Sequence, residues 1–320
     1  MSAAIRLTNV SKRFNGVAAV DGVTLDVPEG SIYGFIGPNG SGKTTTLRMI
    51  MHILLPDEGT IEVLGRADVS AARDRVSYLP EERGLYKKMA VRRLLRYYGQ
   101  LKGRTVAELD PEIDAWTTRL AMQGWADKKI ETLSKGMSQK VQFAAAVVSR
   151  PELLILDEPF SGLDPVNADV LKDAVLEMRR RGTTVVFSTH DMATAERMCD
   201  RIFMIFRGRK VLDGTLEEIQ AEYGFDTVRV RTTGGAASIA GLPGVLTVND
   251  YGQMQEVRLS GDPQQFLQAL ASRGDVHHFE ITRPSLHDIF VRIARPEGTE
   301  PTDVTGPASH RRNGVTETVR

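Results

Sequence analysis

Along the first 220 or so residues, short apolar runs alternate with longer stretches of helical spacing. Residues 31–36 (SIYGFI) read as a buried strand, followed by a glycine-rich loop and a helix from Gly42. Residues 153–156 and 184–188 are two more apolar runs, each ending on polar residues. This rhythm predicts an α/β fold, a parallel sheet with helices on its faces. Ligands of such sheets sit at the carboxyl ends of the strands, where these polar residues fall.

The pattern then changes twice. Residues 85–130 show little strand signal, whereas 92–101 and 111–120 have helical spacing, so a helical insert is expected over about residues 85–150. Residues 202–206 and 210–212 flank Gly208 like a closing hairpin, and the first domain is expected to span residues 1–222. A small α+β domain is expected over residues 223–295. In it, residues 227–231 and 256–260 alternate like half-buried strands, and Asp262 caps a helix that opens on Pro263. Residues 284–294 form a last amphipathic helix. From 296 to 320 the chain is rich in Pro, Gly, Thr, Glu and Arg, which predicts a disordered tail. No internal repeat is seen.

Composition narrows the setting. Lys plus Arg and Asp plus Glu are 41 each, so net charge gives no reason to expect nucleic acid or an anionic membrane surface as partner. Cys199 is the one cysteine, which rules out an internal disulfide and fits a reducing compartment. The N-terminus lacks the apolar core of a secretory signal, and no run approaches the roughly 18 apolar residues of a membrane span. Work at a membrane would need spanning helices from another chain.

The chemistry is concentrated in two motifs. Gly37, Pro38, Asn39, Gly40, Ser41, Gly42, Lys43 and Thr44, with Thr45 behind them, match the phosphate-binding loop pattern between a strand and a helix. Glycines let backbone N–H groups turn toward β- and γ-phosphates, Lys43 adds a positive charge, and the Thr44 hydroxyl can ligate Mg²⁺. The apolar run 153–156 ends in Asp157 and Glu158. Asp157 would hold Mg²⁺ through water, and Glu158 would orient or deprotonate an attacking water. A chance glycine-rich turn and an acidic strand end capping the next helix are the plainer alternatives.

Together these motifs resemble the nucleotide-binding subunit of an ABC transporter, strongly to about residue 220 and loosely to about 295. The resemblance implies a P-loop NTPase core with an N-terminal antiparallel β subdomain, ATP and Mg²⁺ as ligands, and ATP hydrolysis between two copies of the chain. Leu133 to Lys140 resembles the family signature, usually L-S-G-G-Q: Ser134 and Gly136 match, Lys135 and Met137 do not. In the family this segment touches the γ-phosphate bound by the opposite subunit, and a helical run from Met137 to Val148 would aim backbone N–H groups at phosphate. Ser161 to Asp164 resembles the loop that couples the two sites. His190 resembles the switch histidine at the γ-phosphate, and Phe14 the aromatic that stacks on adenine. Glu81 stands where the family usually has Gln; its carboxylate can still ligate Mg²⁺. Lys43, Glu158 and His190 are the implied catalytic residues.

The resemblance also implies that the helical insert and the Glu81 loop dock an integral membrane permease, on the cytoplasmic face of the membrane. Residues 284–290 resemble the end of an accessory domain on exporters of drugs, sodium or polysaccharide, so an exporter is expected. The rival reading is a soluble ATPase of the same family acting on ribosomes or DNA. Translation factors of that kind usually carry two ATPase units, and repair ATPases a long coiled coil between P-loop and signature. This chain has one P-loop, and the interval from Lys43 to Ser134 leaves no room for such a coil. A third reading makes residues 224–294 a ligand sensor, but His277 and His278 lack Cys or acid partners at metal spacing.

Overall fold

A computed structural model describes residues 2–67, 72–81, 84–224 and 226–294. The expected tail, and Glu82 and Arg83 beside Glu81, lie outside the described residues. The chain divides into two compact units. The first is Met1–Phe225 with Arg283–Phe290, and the second is Asp226–Thr282 with the chain from Val291.

The first unit is built on a six-stranded sheet of order β5-β6-β7-β3-β8-β9. Its strands are β3 (Ile32–Ile36), β5 (Val76–Leu79), β6 (Leu153–Asp157), β7 (Thr184–Thr189), β8 (Arg201–Phe206) and β9 (Arg209–Gly214). The first five run parallel and β9 closes the edge as an antiparallel hairpin on β8. Strands β3, β6 and β7 are buried at every position, which is why they read as unbroken apolar runs. The α/β expectation holds.

Within β6 the side chains alternate between two cores. Leu153 and Ile155 pack with a three-stranded antiparallel sheet of order β2-β1-β4, formed by β1 (Ala3–Phe14), β2 (Val17–Pro28) and β4 (Glu58–Val63), and with helix α1 (Lys43–Ile50). Leu154 and Leu156 pack on the other side against Trp116 and Phe143 of the helical layer. That layer holds α2 (Val91–Leu101), α3 (Val106–Arg119), α4 (Lys135–Val147) and α5 (Pro165–Arg180). Helices α6 (Met192–Met198) and α7 (Leu216–Tyr223) follow strands β7 and β9.

Two helix starts differ from the sequence reading. Helix α3 begins five residues before Pro111, because Thr105 and Glu108 form a reciprocal capping box. Pro111 therefore lies inside the helix rather than at its first position. Helix α4 begins at Lys135, two residues before Met137, with Ser134 as its cap.

The second unit holds a four-stranded antiparallel sheet of order β11-β12-β10-β13. Its strands are β10 (Thr227–Thr232), β11 (Val245–Asp250), β12 (Gln255–Leu259) and β13 (Val276–Thr282), with α8 (Ala236–Ile239) and α9 (Pro263–Ala271) between them. Asp262 caps α9, and Phe266 and Leu270 pack on Val228, Val230 and Val257. The last helix is α10 (Leu286–Ala294), and the third and last division of the chain falls within it, after Phe290. Strands β11 and β13 alternate too weakly in burial to stand out in the sequence.

Candidate functional site

The loop between β3 and α1 is held in a shape that side chains resist. Gly42 has φ 113°, and a Cβ there would stand 2.4 Å from the Ala19 carbonyl oxygen. A Cβ on Gly37 would stand 2.3 Å from the Ile205 carbonyl oxygen. The loop is thus pressed against β2 and β8 and needs glycine at both points. The Ser41 hydroxyl is buried and has no hydrogen-bond partner among the described residues. Lys43 is 6% exposed, and its ammonium donates to the Gly37 and Pro38 carbonyls at 2.7 and 3.2 Å. Burial lowers its pKa, opposed by the charges of Glu158, Asp157 and Glu81.

Around this loop lies a cavity of about 210 Å³ lined by Ala19, Asn39, Gly40, Ser41, Gly42, Lys43, Thr44, Thr45, Glu81 and Glu158. Glu81 reaches it from the end of β5, and Glu158 from the end of β6. The acid pair is braced from β7. Ser188 donates to Asp157 Oδ1 at 2.5 Å and accepts the Glu158 N–H at 2.9 Å. Thr44 donates to the same Asp157 oxygen at 3.2 Å. Tyr78 donates to Asp157 Oδ2 at 3.4 Å, and its hydroxyl is pushed up to about 12 by burial and the Asp157 charge. Glu158 has φ 48°, an uncommon backbone for a non-glycine residue, and its carboxylate lies 3.9 Å from the Lys43 ammonium. His190 Nδ1 lies 3.0 and 3.1 Å from the two Glu158 oxygens.

The residues fit both ligands. An orphaned buried hydroxyl and a glycine cradle around a lysine suit a phosphate chain at a helix start. Thr44 Oγ1 and Asp157 Oδ1, side by side at the cavity, are the hard oxygen donors Mg²⁺ takes alongside phosphate and water. Among the described residues no group of three or more His, Cys, Asp or Glu could hold a metal by itself.

Other sequence candidates lie apart from this cavity. Ser134 accepts the Met137 N–H at 3.2 Å, and Gly136 is so close to α5 that a Cβ would stand 2.9 Å from Asn167 Nδ2. Neither lines the cavity, and neither does Phe14, which is 45% exposed at the end of β1. Sequence reasoning missed Ser188 and Tyr78 as supports of the acid pair. The polar end of the 184–188 run was the available signal, but nothing in it says which neighbouring strand it serves.

This is a P-loop nucleotide site on an ABC-type core, and comparison with known proteins agrees. Residues 20–161 match the ABC transporter family, and residues 214–294 match the C-terminal domain of DrrA1-3-like ATP-binding proteins. The chain is 39% identical over 289 residues to the ABC transporter ATP-binding protein YhaQ of Bacillus subtilis, covering 90% of this chain and 97% of that one. It is 33% identical to the Nod factor export ATP-binding protein I of Sinorhizobium fredii, covering 92% and 87%. A solved ATP-binding subunit of an ABC transporter superposes with a TM-score of 0.65 at 30% identity, over 69% of this chain and 93% of that one. The chain belongs to the ABC transporter ATP-binding proteins and is an ATPase whose hydrolysis is coupled to transport. Among the described residues no helix is long and apolar enough to cross a membrane.

Proposed function

We propose that this chain is the ATP-binding subunit of an exporter, working as a head-to-tail pair beneath a separate membrane permease on its cytoplasmic face. The observation that carries the paired arrangement is the division of the site. The phosphate loop, Glu81 and Glu158 line one cavity, with Asp157 bonded to Thr44 and His190 against Glu158, whereas Ser134 and Gly136 neither line it nor bond to a residue that does, among the described residues. A second copy would bring that segment to the γ-phosphate. Export is supported by the match to the DrrA-like C-terminal domain and by the export relative. Near-neutral formal charge, with 41 basic and 41 acidic residues, gives no support to a nucleic-acid partner.

The roles follow from position. Loop N–H groups and Lys43 hold the phosphates, and Phe14, exposed at the end of β1, stacks on adenine. Thr44, Asp157 and Glu81 would hold Mg²⁺, which would supply charge neutralisation for the phosphate chain. Glu158, held by Ser188 and facing His190, orients the attacking water, and His190 reaches the γ-phosphate. Phosphoryl transfer depends on positioning and charge, so removal of the water-orienting carboxylate spares binding. Glu158→Gln with MgATP should accumulate a dimer with turnover reduced about 100-fold or more. A persistent monomer with full turnover sinks the assignment. Copurification of the tagged chain with ribosomes and no membrane protein would sink the exporter reading.

A further inference from the structure

The nucleotide cavity is rich in acid. Among the described residues that line it, Lys43 is the one Lys or Arg, and it shares the cavity with Glu81 and Glu158, with Asp157 beside Thr44. All three carboxylates act on the Lys43 ammonium. A magnesium triphosphate still carries net negative charge, so loading this site adds anion to anion. The start of α1 and the loop amides offset part of it. The buried, unpartnered Ser41 hydroxyl marks the same cavity as one that receives further groups. The family motif puts an uncharged Gln where Glu81 stands, so this chain carries an extra negative charge at its own nucleotide.

Lys135 has the opposite character. It is exposed, it opens α4 between Ser134 and Gly136, and it makes no ion pair among the described residues. Its ammonium extends over the loop before α5, 3.1 Å from where a Cβ on Gly162 would stand. A cation at a helix start is disfavoured by the helix dipole, and the first turn of α4 contains no acid to relieve it. The family motif has glycine here. Against the family motif the chain thus carries one extra cation and one extra anion, on the two segments that the proposed head-to-tail arrangement would bring together.

We propose that Lys135 of one copy completes the nucleotide site of the other, its ammonium balancing Glu81 across the triphosphate. This rests on the head-to-tail reading above. It makes Lys135 a residue of the composite site and explains why Glu81 is tolerated there.

The test is a double-mutant cycle in the full chain carrying Glu158→Gln. The dimer dissociation constant in MgATP is read by sedimentation velocity. Lys135→Ala should weaken the dimer about tenfold at low salt, and Lys135→Arg should stay within about threefold of the parent. With Glu81→Gln also present, the cost of Lys135→Ala should shrink to less than about threefold, and the difference should fade in high salt. Binding of a fluorescent ATP analogue by the dilute monomer should be unchanged by Lys135→Ala, which separates the effect from misfolding. If the parent dimerises but Lys135→Ala costs nothing, or costs the same with Glu81→Gln, this inference is overturned and the dimer stands. If the parent forms no dimer in MgATP, both fall.

Discussion

Ser188→Ala isolates the support beneath the acid pair. The Ser188 side chain is fully buried and serves both acids at once, accepting the Glu158 N–H at 2.9 Å and donating to Asp157 at 2.5 Å. Alanine fits the space but orphans a buried N–H, at a cost of about 1–3 kcal/mol, and removes a hydrogen bond to a carboxylate worth about 1.5–3 kcal/mol. Thr44 and Tyr78 still donate to Asp157, so the sum falls toward the lower end, about 3 kcal/mol. At roughly 2–4 °C per kcal/mol for a domain of this size, the melting temperature drops by about 6–12 °C. The bond to Ser188 also holds the backbone that keeps Glu158 at positive φ, so the carboxylate loses its aim. Displacement on the ångström scale lowers kcat about 100-fold. The assays are a thermal melt and phosphate release at saturating MgATP, with a fluorescent nucleotide titration without Mg²⁺ as control. That affinity should hold, since the loop and Lys43 are untouched. A melt within about 1 °C of the parent, together with unchanged turnover, refutes the reasoning.

Two further outcomes are expected. Gly42→Ala meets both a φ of 113° and the Ala19 carbonyl at 2.4 Å, costs of about 1–3 kcal/mol each, so the loop must move. ATP affinity by fluorescent-nucleotide titration should fall at least about 100-fold, and a value within threefold of the parent would count against the cradle. In the second unit, burial tends to raise the Asp226 carboxyl, but hydrogen bonds from Arg258 and Arg292 outweigh it and hold it below the ordinary range. A depressed carboxyl stabilises above its unfolded value of about 3.9, and that contribution is lost as pH falls through the lower folded value. Asp226→Asn should therefore lower the melting point at pH 7 by a few degrees and flatten its decline below about pH 4, read by melts across pH. Parallel pH profiles for parent and variant would contradict the pairing.

Much of this protein is written locally in its chain. The phosphate loop is a contiguous run whose chemistry lies in its own backbone, so Gly37, Gly42, Lys43 and Thr44 are legible without a fold. The acid pair is legible because it ends a strand buried on both faces, and such strands show as unbroken apolar runs. Other features depend on pairing across long separations. Thr44 and Asp157 lie 113 positions apart, and Ser188 and Asp157 31 apart. Buried strands of similar composition do not encode their neighbours, so the order β5-β6-β7-β3-β8-β9 could not be read from them. That order sets β7 beside β6 and puts Ser188 under both acids. It also carries Glu81 from the end of β5 to the same cavity. Pro111 teaches the same lesson in one helix: helical spacing is visible from Pro111 on, but the Thr105–Glu108 capping box satisfies the free amides earlier and decides the start. Sequence determined which residues form the glycine-rich loop and the acid pair, and tertiary structure decided which groups hold them in place.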